Sequence, residues 1–143
     1  NINQYLCGTP SVIAMSALDA ALDVWQDVDI SKIREKSIAL ADVFIKLVQT
    51  HSCLRDLHLC STENSSQRGS QLAFSHTDAF AICQALIEKG VIADFRAPNI
   101  LRFGFTPLYT SFEDIWKAVT TLVDIVDSEL YKNPRFNIAL KVT

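Results

Sequence analysis

The run Arg102-Phe103-Gly104-Phe105-Thr106-Pro107-Leu108-Tyr109 holds the residue best suited to chemistry in this chain, one cation inside an otherwise apolar stretch. Strand alternation sets Leu101, Phe103 and Phe105 on one face and Ile100, Arg102 and Gly104 on the other. The apolar trio anchors such a strand on a core, while Gly104 leaves open space beside the guanidinium. A planar fork of N–H donors with room in front of it suits a small anion, as a carboxylate is. The competing use of Arg102 is a plain pair with a carboxylate at the core edge, or a side chain that snorkels to solvent.

Gly8-Thr9-Pro10 is the second polar constellation. Thr9 offers a hydroxyl, Gly8 allows close backbone approach, and a helix opening at Pro10 would aim free amides and its positive end outward. That combination suits a phosphate. An ordinary helix cap made of the same residues is the alternative.

Other chemistries find less support. His51, Cys53, His58 and Cys60 bring soft ligand types close together, but on a helix end and an alternating strand rather than on knuckles, so no metal site is expected. There is no Gly-rich phosphate loop, no nucleophile elbow and no pair of carboxylates assignable to one pocket. Lys32, Lys36, Lys46, Lys89 and Lys117 fall on polar helix faces, and Lys132 and Lys141 fall near the C-terminus, which leaves no convincing buried nucleophile.

The elements that must position Arg102 and Thr9 follow from periodicity. Pro10–Trp25 reads as a helix with apolar residues around most of its circumference, so it needs cover on more than one side. A second helix runs from about Ser31 to Thr50 with Ile33, Ser37, Leu40, Ala41, Phe44, Leu47 and Val48 on one face. Leu57–Cys60 and Ser70–Ser75 read as strands, and Thr77 or Asp78 caps a helix that Gly90 stops. Val91-Ile92 and Asn99–Phe105 supply further strand around a turn at Pro98. Ser111-Phe112-Glu113-Asp114 predicts a capping box for a last helix with Ile115, Val119, Leu122, Val123, Val126 and Leu130 on its inner face. Pro134 onward reads as a tail. The order of elements implies an α+β fold, a small and mainly antiparallel sheet covered on one side by helices.

Composition agrees with a domain that has a real core: 143 residues, 49% of them hydrophobic, with a formal net charge of −3. Lys and Arg are scattered without a basic stripe, which argues against nucleic acid. No apolar run is long enough to span a bilayer, so no membrane partner is expected. The 4 cysteines show no CxxC spacing and fit reducing, cytoplasmic surroundings. The chain opens on Asn1 and its single methionine, Met15, lies within a helical pattern, which suggests a segment of a longer protein.

Four segments in order, Tyr5-Leu6-Cys7-Gly8-Thr9-Pro10-Ser11, Arg68-Gly69-Ser70-Gln71, Gly90-Val91-Ile92-Ala93-Asp94-Phe95-Arg96-Ala97-Pro98 and Leu101–Tyr109, closely resemble the C-terminal part of bacterial kynureninases. The resemblance runs to about Leu130, and the Arg-Phe-Gly-Phe-Thr-Pro-Leu-Tyr motif is its most specific part. It implies the C-terminal small domain of a fold type I enzyme that uses pyridoxal 5'-phosphate to hydrolyse L-kynurenine to anthranilate and L-alanine in tryptophan catabolism. It also implies a homodimer. Arg102 matches the arginine that holds the substrate α-carboxylate, and Thr9, with Gly8, matches the site that helps bind the cofactor phosphate across the dimer interface. The cofactor-bearing lysine and most cofactor contacts are implied to belong to a larger upstream domain, so the chain by itself is expected to be inactive, with no catalytic residue of its own. Residues 1–30 then form an interface segment, 31–131 the small domain and 132–143 a tail. Two readings stand beside this one: the small domain of another fold type I enzyme such as a desulfurase-like protein, and an independent module in which Arg102 binds an amino acid without catalysis.

Overall fold

Alternation decides where the sheet lies. In Gln71–Ser75 and Ile100–Gly104 every second side chain is sealed, namely Leu72, Phe74, Leu101 and Phe103. The computed structural model describes residues 2–5 and 7–138. Leu6 of the first motif and residues 139–143 of the tail, Lys141 among them, lie outside the described residues. The chain divides into two compact units, Asn1–Ile33 and Arg34–Thr143.

The first unit contains helix α1 (Val12–Leu22), a 3-10 turn at Asp23–Trp25 and the start of helix α2 (Ile30–Thr50). The helix expected from Pro10 to Trp25 is therefore shorter at both ends. Ser11, extended at φ −64° and ψ 119°, caps α1 by accepting from Ala14 N, so neither Thr9 nor Pro10 begins the helix. Sequence reading placed the cap at Gly8-Thr9 because Thr9 and Ser11 are both capping residues two positions apart, and the backbone uses the later one. None of the α1 residues is buried, although apolar residues surround most of its circumference, so the cover that this pattern calls for is not supplied among the described residues.

The second unit is α+β, as expected. Strands β1 (His58–Leu59), β2 (Gln71–Ser75), β3 (Asp94–Arg96) and β4 (Ile100–Gly104) form an antiparallel sheet in the order β1-β2-β4-β3. Helices α3 (Ala79–Glu88) and α4 (Phe112–Asp127) complete the unit with the rest of α2. Phe44 of α2 stands over the sheet with its ring centroid 5.9 Å from Phe74, 4.7 Å from Phe103 and 5.4 Å from Phe105. Phe80 of α3 meets Phe95 of β3 edge to face at 5.3 Å. Aromatic contacts at such spacing add to the area they bury, and each ring removed from this cluster would leave a cavity. The opposite face carries Gln71, Ala73, Ser75, Ile100, Arg102 and Gly104, none of them buried.

Helix ends explain two departures from expectation. Gly90, at φ +86°, lets its own N–H reach Ile87 O and the Val91 N–H reach Leu86 O, which closes α3 with a Schellman motif. That motif consumes the Val91 amide, so Val91-Ile92 joins α3 to β3 and is no strand. At α4 the expected capping box is present, with Ser111 and Asp114 exchanging bonds. The helix ends at Ser128 because Glu129 turns into the left-handed region at φ +55°, which keeps Leu130 out of it. Beyond, 3-10 turns at Leu130–Lys132 and Pro134–Asn137 bury Tyr131 and Phe136. The segment read as a tail is thus packed as far as it is described, and Arg135 Nη2 donates to Glu88 Oε1 of α3 at 2.7 Å.

Candidate functional site

The register β2–β4–β3 sets Ala73, Arg102 and Asp94 side by side on the open face. Arg102 donates from Nε to Asp94 Oδ2 at 2.7 Å, and its Nη2 donates to the same oxygen. Arg96 Nε lies 3.2 Å from that oxygen too. The guanidinium of Arg102 holds the Asp94 carboxyl below the usual carboxylate range, with help from Arg96. Among the described residues Nη1 of Arg102 and Oδ1 of Asp94 have no hydrogen-bond partner. The side chain of Arg102 is 26% exposed and that of Asp94 46%.

Of the two uses read for Arg102, the pairing with a carboxylate is the one observed. The arginine is paired with a carboxylate at the sheet edge, and it keeps an unsatisfied donor edge. Space exists in front of it: Gly104 is exposed, and a Cβ built there would touch nothing within 4 Å. Gly69 begins the turn into β2 on the same terms.

A second arginine shows what a purely structural role looks like. Arg68 is buried, with Nη1 donating to the carbonyls of Thr62 and Glu63 at 3.1 Å each and Nη2 donating to Asp42 Oδ1 at 2.6 Å. Arg34 of α2 secures the same loop by donating to the carbonyls of Ser65 and Arg68. Arg68 stands in one of the segments that carry the resemblance, but its pairing with Asp42 is not legible in the sequence, since nothing local joins the two. Asp94 was missed for the same kind of reason: only strand register brings it beside Arg102.

Gly8 and Thr9 lie in the first unit and Arg102 in the second. Gly8 has φ +144°, a conformation that L residues rarely adopt, and a Cβ there would meet nothing within 4 Å. Thr9 is exposed just ahead of the α1 N-terminus. Lys32, Lys46, Lys89, Lys117 and Lys132 are exposed, and Lys36 donates to Pro107 O at 2.6 Å, where it fixes the turn after the Arg102 strand.

A cavity of about 700 Å³ lies elsewhere, between α4 and the end of β4. Its floor is core, with Phe44, Phe103 and Phe105, and Arg102 does not line it. Of the polar groups at its rim, Asp114 is used by the Ser111 cap and Lys117 by Glu113 at 2.6 Å, while the exposed Lys89 and Tyr109 side chains have no hydrogen-bond partner among the described residues. Those free groups are exposed side chains at the rim, and among the described residues no unpaired buried polar group converges on the cavity, so it lacks the marks of a reaction site. Among the described residues no group of three or more His, Cys, Asp or Glu is placed to hold a metal ion, and no helix is long and apolar enough to cross a membrane. Cys83 is buried in α3, where desolvation pushes its thiol up to about 11 and leaves it inert.

Residues 33–122 match the model of the kynureninase C-terminal domain. The chain is 46% identical over 142 residues to a protein named kynureninase from Burkholderia mallei (strain SAVP1), and equally similar to its namesake from Burkholderia pseudomallei (strain K96243). A kynureninase from Pseudomonas fluorescens is 41% identical over the same length. Each match covers 99% of this chain and 34% of the relative, so the chain spans about a third of the length of the curated relatives it matches. With the family model covering more than half of the residues, the chain belongs to the kynureninase C-terminal domain family.

Proposed function

We propose that this chain is the C-terminal part of a cytoplasmic kynureninase, a homodimeric enzyme that hydrolyses L-kynurenine to anthranilate and L-alanine within tryptophan catabolism. The observation that carries this reading is Arg102: a guanidinium on the open face of the sheet, with Nη1 unsatisfied among the described residues and open space at Gly104 beside it. In this reading Arg102 receives the α-carboxylate of the substrate. A planar contact through two N–H groups fixes rotation about the substrate's Cα–N bond, which is positioning rather than bond breaking.

The cofactor that the family implies is pyridoxal 5'-phosphate, and the residues of this chain fit one end of it only. Gly8, with its positive φ, and the exposed Thr9 hydroxyl suit a phosphate beside the amides at the start of α1. Among the described residues no buried lysine is available to carry the cofactor. When bound, the cofactor supplies the electron sink for cleavage. This chain contributes carboxylate recognition from Arg102 and phosphate recognition from Gly8 and Thr9, while the lysine comes from elsewhere in the full-length protein. The test compares the full-length protein with the isolated chain, using L-kynurenine and pyridoxal phosphate. Formation of anthranilate and alanine by the former alone is the expected result. Turnover by the isolated chain, or absence of kynurenine hydrolysis by the full-length protein, would overturn the proposal.

A further inference from the structure

Arg102 is held by a carboxylate that stands directly opposite it on the neighbouring strand. The manner of holding is unusual in one respect: Nε and Nη2 both donate to a single oxygen, Oδ2, so the pair is not the two-by-two fork that an isolated arginine and carboxylate prefer. Asp94 therefore occupies the side edge of the guanidinium and leaves the end edge, which contains Nη1, facing away from it. The third member of the group is Arg96, two residues from Asp94 on β3, whose Nε approaches the same Oδ2. Two cations on one carboxylate leave the group with a net positive charge, so an incoming anion is still attracted. The turn Ala97–Asn99 ties β3 to β4 right after Arg96, which fixes Asp94 against Arg102 through the backbone as well.

We propose that Asp94 is a positioning residue for Arg102: it holds the side edge of the guanidinium through Oδ2 and so presents the Nη1 end edge to the ligand carboxylate. This rests on the reading of Arg102 as the carboxylate site and adds which edge is used and what aims it. An arginine with four rotatable bonds and no such partner would have to be ordered by the ligand itself, at a cost in affinity. A role confined to stability does not suit the group well, because Asp94 is half-exposed and Arg96 exposed, and ion pairs open to solvent contribute little.

The test uses the full-length protein with L-kynurenine as substrate, and reads KM, kcat and thermal midpoint for Asp94→Ala, Asp94→Asn and Arg102→Lys. Asp94→Ala removes the grip, and the expected result is a KM raised about tenfold with kcat and the thermal midpoint little changed. Asp94→Asn keeps an amide oxygen for the Nε and Nη2 donors, and the expected result is recovery of most of that loss. A KM within twofold of wild type for Asp94→Ala, or no recovery in Asp94→Asn, would overturn the role of Asp94, as would a loss that follows a fall in thermal midpoint. Arg102→Lys separates the two claims. An unimpaired Arg102→Lys would remove the carboxylate reading on which Asp94 depends. An impaired Arg102→Lys with a normal Asp94→Ala would leave that reading standing and remove the positioning role alone.

Discussion

On β4 the covered side carries Leu101 and Phe103, both nearly sealed, while the open side carries the partly accessible Arg102 and the exposed Gly104. These four residues are consecutive, share one backbone, and differ only in the direction that the pleat gives them. The covered side is crowded, since Phe103 lies 4.7 Å from the ring of Phe44 and 6.0 Å from that of Phe74. On the open side Arg102 has one carboxylate for a partner, and Gly104 has empty space. The strand thus separates a packed side from an accessible one by alternation alone, and the accessible one is the side proposed to bind. Changes on the covered side should be read in stability and changes on the open side in function.

The largest effect is expected where the covered side is opened. Phe103→Ala removes a buried ring and leaves a cavity between Phe44 and Phe74, which should cost about 3–5 kcal/mol in denaturant unfolding of the second unit. A loss below about 1 kcal/mol would mean that the aromatic cluster repacks freely and that the two sides are less distinct than they look.

A smaller effect sharpens the open side. A Cβ at Gly104 meets nothing within 4 Å, and its φ is not in the left-handed region. Valine there should therefore leave stability within about 1 kcal/mol of wild type, or raise it slightly through strand preference. In the full-length protein the same Gly104→Val change should raise KM for kynurenine, because it fills space beside the guanidinium. Unchanged kinetics would show that no ligand approaches Arg102 from that side.

How much of this was legible before the structure depends on how local each signal is. Alternation in β2 and β4, the inner face of α2, the capping box at Ser111 and the stop at Gly90 are written within a few residues, and all are present. Signals that compete locally misled: Thr9 and Ser11 are both capping residues, and Val91 looks like strand until the Schellman motif claims its amide. Ile125 is buried on the inner face of α4, which the spacing read for that face does not include. Signals that depend on distant parts of the chain were illegible. Phe136 follows a left-handed break at Glu129 and looks like part of a tail, yet it is buried, as is Tyr131 before it, which meets His76 edge to face at 6.0 Å. The anchoring of Arg68 by Asp42 spans 26 positions. Arg102 itself could be picked out by composition, but the carboxylate that aims it could not, because that pairing exists only once β3 and β4 are in register.

The most direct test of the central claim is Arg102→Lys in the full-length protein, with kcat/KM for L-kynurenine, cofactor retention and thermal midpoint measured on the same preparation. Lysine keeps the charge and loses the planar fork. The account predicts a fall in kcat/KM of about a hundredfold or more, with cofactor retained and the midpoint within about 2 °C of wild type. An unchanged kcat/KM, or a loss accompanied by an equal loss of cofactor or of folding, would show that Arg102 holds the sheet and not the substrate.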